Sequence, residues 1–369
     1  MEKIVKPVTR PIFQKDPSIE IFNQIKKQAR QIISELEPKR KKVLPIKAIL
    51  FPLLYFSAYA SALIWGQHKA IFYGSYFFMG IMLMIIFLNL IHDAVHSSLF
   101  KNKLLNKLYV YFFDLMGANS FVWKIRHTRL HHNYPNIPGW DSDIDQSPLA
   151  RVFPHGPFSK IHKYQHIYLP LLYPFYLVNW LLVRDFKDYF NKNRVVWKVA
   201  DIPRSEFVKL FLFKALFLFY TIVIPVLVLH IGWMQAIAAF LLMVFTGSIF
   251  SLIVLLSPHA NTDNDFPLPD SNNHIGTSWF IHQISHTNDV RHDNWFTRFF
   301  MGSFNYHVIH HLFPSESHIY YPELTAMLKK EAKKYRLPYR SYSLVHTLKT
   351  HYQLLKKNRM PENIFEETM

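Results

Sequence analysis

The sequence of 369 residues contains no cysteine, only ten glycines and comparatively few acidic residues. The absence of cysteine excludes disulfide bonds, thiolate catalysis and iron–sulfur clusters bound by cysteine. The first 40 residues contain no apolar run of the kind found in a signal peptide, so none is expected. Lysine and arginine number 42 against 25 aspartate and glutamate residues, a formal net charge of +17. No nucleic-acid recognition motif accompanies this charge, so a nucleic-acid partner is not expected.

Charge is also missing from two long stretches, and these predict membrane spans. Residues 48–91 carry a single charge, Lys69, and residues 215–262 carry none. Each stretch is about twice the ~20 residues that cross a bilayer as a helix, so each predicts a hairpin of two spans. The turns are expected at residues 66–69 and 230–233.

The basic residues lie almost entirely outside the two hairpins, which predicts the orientation of the chain. The positive-inside rule places the basic segments, both termini and the histidines described below in the cytoplasm. The membrane would be a bacterial inner membrane or, in a eukaryote, the endoplasmic reticulum. The prediction is an all-α integral membrane protein with four transmembrane helices in two hairpins, in-plane helices and a cytoplasmic helical cap. Its segments are a cytoplasmic N-terminal segment, the first hairpin, an interfacial region, the second hairpin and a cytoplasmic C-terminal region: 1–47, 48–91, 92–206, 207–257 and 258–369.

Two further apolar stretches are interrupted, and we place both at the membrane interface as in-plane or re-entrant helices. Residues 104–123 contain Asp114, and residues 167–183 contain Pro170 and Pro174. A crossing by the first stretch would move the histidines that follow it to the opposite side of the membrane.

Eight of the 21 histidines occur in three compact groups. The groups are His92-x-x-x-His96, His127-x-x-x-His131-His132 and His307-x-x-His310-His311. Residues three and four apart share one face of a helix, so each group presents its imidazoles in one direction. Eight imidazoles exceed the three or four protein ligands of a single tetrahedral ion and therefore predict two metal ions. Imidazole binds zinc, copper, iron and nickel, so the ligands alone do not identify the metal.

Acidic residues near these groups are predicted to orient ligands rather than to bind metal. The glutamates and the Glu-x-x-His motif of soluble di-iron bundles are missing from the groups. A nearby carboxylate can instead accept a hydrogen bond from the far nitrogen of a ligand imidazole. The candidates are Asp93, Asp141, Asp143 and Asp289. The spacing Asp141-x-Asp143-x-Asp145 is also found in calcium loops, but the glycine and the final glutamate of an EF-hand are absent.

Together these motifs resemble those of the membrane fatty acid desaturases, whose signature is three histidine boxes set around two membrane hairpins. The resemblance extends from His92 to Leu324. The bacterial front-end or linoleoyl-CoA type is the branch it is most similar to. The residues that carry this are Asn136-Ile-Pro-Gly139, Asp141-x-Asp143, Trp279-x-x-His282-Gln283, Asn305-Tyr306, His310-His311-Leu312-Phe313-Pro314 and Tyr321-Pro322-Glu323-Leu324. Two features depart from that branch: His307 stands where many members have glutamine, and the His-Pro-Gly-Gly motif of a fused haem domain is absent.

The resemblance implies desaturation of a fatty acyl chain, carried by CoA or by a phospholipid, at a di-iron centre in the membrane. It implies molecular oxygen as co-substrate and a separate electron donor, such as a ferredoxin or a small haem protein. It also implies a ninth ligand before the third box, for which His286 or, alternatively or additionally, His282 is expected. No catalytic residue is expected beyond the metal ligands His92, His96, His127, His131, His132, His286, His307, His310 and His311.

Two other classes of function remain open on the sequence. A hydroxylase or ketolase would use the same boxes and differ in the step after hydrogen removal. A metal transporter or a membrane haem protein would place polar residues or paired histidines inside its spans. The predicted spans are almost purely apolar, and the histidine groups lie beyond their ends, which disfavours this second class.

Overall fold

The computed structural model describes residues 10–145, 147–255 and 258–360 of the chain. Within these ranges the backbone is mostly helical, with two short pairs of parallel strands. The prediction of an all-α protein that carries a histidine-rich site is therefore confirmed. Both chain termini and the predicted end of the second hairpin at residue 257 lie outside the described residues.

The helices of the first two thirds of the chain are α1 (Ser18–Arg40), α2 (Val43–Trp65), α3 (Lys69–Val95), α4 (Lys103–Leu115), α5 (Ser120–Lys124, continued by a π-helical turn at Ile125–His131), α6 (Lys160–Phe190), α7 (Val196–Val199), α8 (Arg204–Leu229) and α9 (Trp233–Leu255). The later helices are α10 (Trp279–Ser285), α11 (Trp295–Phe299), α12 (His307–Leu312), α13 (Tyr321–Tyr335, preceded by a 3-10 turn at His318–Tyr320) and α14 (Leu344–Lys357). Strand β1 (Ile12–Phe13) pairs with β2 (His274–Ile275), and β3 (Asp289–Val290) pairs with β4 (Ser341–Tyr342).

Five helices are long and apolar enough to cross a membrane by length and composition, namely α2, α3, α6, α8 and α9. Four of them form the two predicted hairpins, and their connections fall at residues 66–68 and 230–232. The fifth, α6, is the stretch placed at the interface from the sequence. It is irregular, since it contains Pro170, a 3-10 turn with Pro174 and a π-helical turn. We therefore retain the prediction that four helices cross the membrane and that α6 lies at its interface.

Helix α3 is the centre of the helical bundle and packs between α2 and α9. It is apolar on all sides, which is typical of a buried helix. Gly80 allows the close approach of α9, because a Cβ atom at this position would lie 2.3 Å from the carbonyl oxygen of Met243. The C-terminal end of this central helix carries the first histidine box.

Two helices become π-helical where the first two boxes begin. The π-helical turn of α3 spans Phe87–Ile91, directly before His92, and the turn of α5 contains His127 and His131. A π-helical turn holds one residue more than an α-helical repeat, so it changes the direction of the side chains that follow. Regular helical spacing, on which the sequence argument relied, therefore does not describe the second box, whereas His92 and His96 lie on the α-helical turn that follows the π-helical turn of α3.

The first π-helical turn is covered by a close backbone contact from Gly302. This glycine has φ +56°, and a Cβ atom there would lie 2.7 Å from the carbonyl oxygen of Leu88. We expect Gly302→Ala to destabilise the protein by roughly 1–3 kcal/mol, since it adds backbone strain and overpacking. Thermal unfolding in detergent measures this effect. Gly74→Ala, where nothing lies within 4 Å of the added atom, is the control, and an equal melting temperature of the two variants would contradict the prediction.

Candidate metal centre

The ends of α3, α5 and α12 bring the three histidine boxes together, and a loop after α9 adds His259. The five-histidine group consists of His92, His96, His127, His132 and His310. The four-histidine group consists of His131, His259, His307 and His311. Within each group, one nitrogen from every ring lies within 4.8 Å of the others. Each group can therefore hold one metal ion.

Neighbouring histidines in one box belong to different groups. His131 and His132 separate because the π-helical turn puts His127 and His132, five residues apart, on the same side, with 3.1 Å between their Nε2 atoms. His310 and His311 also belong to different groups, but on a regular α-helix, where His307 and His311, four residues apart, share the four-histidine group. The second and third boxes thus serve both groups, whereas the first box serves only the five-histidine group.

The ring nitrogens approach one another as ligands of a shared ion do. The Nε2 atom of His92 lies 3.1 Å from that of His127, and the Nε2 atom of His259 lies 2.9 Å from that of His307. Two nitrogens bound at about 2.1 Å and roughly at right angles are about 3 Å apart. The Nε2 atoms of His96 and His310 are buried without a hydrogen-bond partner among the described residues. A metal ion would supply that partner, so the residues present fit two ions.

Burial also gives most of these imidazoles the protonation state that a metal ligand needs. A ligand imidazole must be neutral. Desolvation, reinforced by the neighbouring rings, lowers the pKa well below its usual value for His96, His127, His132, His259, His307, His310 and His311.

Two of the four candidate acidic residues make the contacts that the sequence analysis predicts. Both carboxylate oxygens of Asp141 lie 3.0 Å from Nδ1 of His131, and Oδ2 of Asp143 lies 3.1 Å from Nδ1 of His127. Each carboxylate accepts the Nδ1 proton and directs Nε2 to the metal position. Burial opposes a charge on His131, but the attraction of Asp141 outweighs it and raises the pKa of His131.

The other two acidic residues are positioned differently from the prediction. Oδ2 of Asp93 accepts hydrogen bonds from Nδ1 of His318 at 2.9 Å and from Oγ of Ser317 at 2.8 Å. Asp289 accepts the backbone N–H of Val308 at 2.8 Å and the hydroxyl of Tyr339 at 2.6 Å. Asp93 follows His92 directly on the helix, so its side chain leaves in another direction. Asp289 supports the third box through the backbone of α12.

The two histidines expected to supply a ninth ligand, His286 and His282, make other contacts. His286 donates from Nδ1 to the carbonyl oxygen of His282 at 2.8 Å, and Nε2 of His282 donates to the carbonyl oxygen of Pro135 at 2.8 Å. Neither ring belongs to a histidine group. His259 belongs to the four-histidine group, and its Nε2 also lies 3.0 Å from that of His311.

Sequence reasoning missed His259 because no second histidine accompanies it at helical spacing. One signal could have found it. His259 follows the second apolar hairpin closely, just as His92 follows the first, and both hairpins are predicted to return the chain to the same side of the membrane.

An apolar cavity of about 280 Å³ reaches both groups. It is lined by His92 and His127 of the five-histidine group and by His131, His259 and His307 of the four-histidine group. Most of the remaining wall is aliphatic and aromatic and comes from α3, α6, α9 and α14. An apolar wall with few polar groups suits an apolar ligand that lies beside both metal positions.

Buried ion pairs connect the second box to α6 and α8. Arg126, next to His127, donates to Asp188 at 2.6 Å, and Lys214 donates to Asp185 at 2.6 Å. These four side chains are at most 5% exposed. Because a buried charge without a partner is strongly destabilising, the pairs fix the end of α6 against the second box and against α8.

Comparison with known proteins finds a family that matches most of this chain. The model of the family described as "Fatty acid desaturase" matches residues 67–343, which is more than half of the chain. The chain is 28% identical over 333 residues to an acyl-lipid (8-3)-desaturase of Physcomitrium patens, which covers 89% of this chain and 69% of that protein. It is 28% identical over 270 residues to an sn-1 linoleoyl-lipid 6-desaturase of Arthrospira platensis, which covers 73% of each. It is 29% identical over 299 residues to the protein of that name from Synechocystis sp., which covers 80% of this chain and 83% of that protein. The resemblance noted in the sequence is confirmed, and the chain belongs to the fatty acid desaturase family of oxidoreductases.

Proposed function

We propose that this protein introduces a double bond into a fatty acyl chain, using molecular oxygen and two iron ions. The ions would be held by the five-histidine group and the four-histidine group defined above. The observation that carries this proposal is that the two groups lie side by side and open onto one apolar cavity. Two iron ions with oxygen supply the strong oxidant that removal of two hydrogens from an unactivated methylene pair requires.

The protein's own residues hold the rings and exclude water from the reacting carbons. The indole of Trp123 stacks on His127 with 4.9 Å between ring centroids, and Phe304 packs against both His92 and His307. These rings line the cavity together with the ligands. The substrate chain would therefore meet aromatic and aliphatic carbon on one side and the metal positions on the other.

We propose an acyl lipid or an acyl-CoA as the substrate. The relatives are named acyl-lipid and linoleoyl-lipid desaturases, and the apolar cavity suits such a chain. The net charge of +17 favours a phosphate-bearing head group and an anionic membrane surface. Two electrons per double bond would come from a separate donor, such as a ferredoxin or a small haem protein. The site and both termini would face the cytoplasm.

Fatty acid profiling after heterologous expression tests the function. Cells are fed defined saturated and unsaturated precursors, and their lipids are analysed by mass spectrometry. We expect a new double bond with the intact chain and none with His307→Ala, which removes a proposed iron ligand. Hydroxylated or oxo products would instead support the hydroxylase or ketolase alternative. Failure of the intact chain to change any precursor, when two iron ions per chain are present and a donor is supplied, would contradict the proposal.

Filling the cavity tests the site of the acyl chain. Ala150 is part of the cavity wall, and Ala150→Trp would place an indole in the space proposed for the substrate. We expect at least a roughly ten-fold loss of product, with the iron content unchanged, because overpacking blocks the ligand but touches no metal ligand. Ala326→Trp, on an exposed face of α13, is the control. Equal product from the two variants would place the acyl chain elsewhere.

A further inference from the structure

A lysine, a histidine and an aspartate form a buried chain of hydrogen bonds behind the first histidine box. Nζ of Lys47 lies 3.0 Å from Nε2 of His318, and Nδ1 of His318 lies 2.9 Å from Oδ2 of Asp93. Each of the three residues is 1% exposed. An ammonium group only donates, so Nε2 of His318 accepts and Nδ1 donates to the carboxylate. A neutral imidazole thus bridges two buried, opposite charges.

Lys47 also reaches the π-helical turn of α3. Its ammonium donates to Oδ1 of Asn89 at 2.7 Å and to the carbonyl oxygen of Arg298 at 3.3 Å. Asn89 lies in the middle of that turn and is fully buried. Its amide donates to the carbonyl oxygen of Ile85 at 2.9 Å and to that of Phe300 at 2.6 Å. The turn is therefore tied to α2 and to the segment between α11 and α12.

A buried lysine in an apolar helix destabilises the fold unless its charge is paired. Ionisable residues in such helices commonly have a functional role. Here the hydrogen bonds of Lys47 lead to residues on both sides of His92 in the sequence. Asn89 lies three residues before it and Asp93 one residue after it. Gly302 packs closely against the backbone of Leu88 in the same turn. A π-helical turn is rarely stable by itself, and its geometry determines where the next side chains point.

We infer that Lys47, Asn89 and His318 are positioning residues that fix the π-helical turn and thereby direct His92 and His96 to the metal ion of the five-histidine group. This inference rests on the proposed function for the presence of that ion. The four-histidine group takes no ligand from the first box. Loosening the turn should therefore release one of the two ions and leave the other bound.

The test is the iron content of the purified full-length protein. We expect Lys47→Met to lower it from about two ions per chain to about one, measured by elemental analysis and by the Mössbauer signals of the two ions. Tyr55→Phe is the control. It lies on the same helix, is 1% exposed and loses only the hydroxyl contact to Tyr220 at 3.0 Å. This variant should keep both ions.

Two more variants separate positioning from general stability. Asn89→Leu removes the bonds from the turn itself and should also release one ion. Lys47→Arg retains donors for Asn89 and His318 and should restore part of the second ion. Two ions with unchanged spectra in both Lys47→Met and Asn89→Leu would overturn the inference, and so would loss of both ions together with a collapse of the melting temperature. If the unaltered protein bound no iron pair, the proposed function itself would fail.

Discussion

Replacing His259 with alanine is expected to abolish desaturation and to release the metal ion of the four-histidine group. Nε2 of His259 lies 2.9 Å from that of His307 and 3.0 Å from that of His311, so its ring closes one side of that group. The variant would retain three imidazoles on this ion instead of four. Loss of a residue that only supports a ligand already costs 10- to 100-fold in metal affinity or activity, and loss of a ligand should cost at least about 100-fold.

The matched control for His259→Ala is His286→Ala. Both histidines are buried, and both lie between the second hairpin and the third box. His286, however, donates to the backbone of His282 and takes no part in a histidine group. We expect His286→Ala to retain two iron ions and most of the activity. Full iron occupancy in His259→Ala, or loss of iron in His286→Ala, would reverse the assignment of the ninth ligand.

The membrane helices could be read from the sequence because a bilayer demands a fixed length of apolar chain. Residues 48–91 contain one charge, and the structure breaks them into two helices at residues 66–68. Apolar length does not separate crossing from lying at the interface. For α6, proline and a π-helical turn interrupt a stretch that is otherwise apolar enough to cross.

The three histidine boxes were visible because helical spacing puts several ligands on one face. Their division into two groups was not visible, and in the second box it depends on a π-helical turn that no propensity predicts. His131 and His132 are neighbours in sequence but belong to different groups. His259 had no partner at helical spacing, and only the folded chain brings it to His307. Closeness in sequence to a candidate ligand also did not predict which carboxylate supports it, because Asp93 adjoins His92 but accepts a hydrogen bond from His318.

Asp141→Asn should weaken iron binding by the four-histidine group by roughly 10- to 100-fold. Asp141 is 0% exposed, and both of its oxygens lie 3.0 Å from Nδ1 of His131. The same carboxylate accepts the backbone N–H groups of Asn136 at 2.8 Å and Asp143 at 3.1 Å. An asparagine has one oxygen for these donors, and its NH2 group would face at least one N–H. The ring of His131 would then lose both its orientation and the charge that makes Nε2 a strong ligand.

The matched variant is Asp143→Asn, because Asp143 supports His127 and hence the other ion. Chelator competition, followed by the Mössbauer signals of the two ions, measures which ion leaves first. Asp141→Asn should release the ion of the four-histidine group first, and Asp143→Asn that of the five-histidine group. Asp143 is 18% exposed in its side chain and makes a single contact to His127, so its effect should be the smaller. Release of the same ion first in both variants would contradict this prediction. It would show that the two carboxylates act on the site as a whole, and that neither one determines the binding of the ion next to its own histidine.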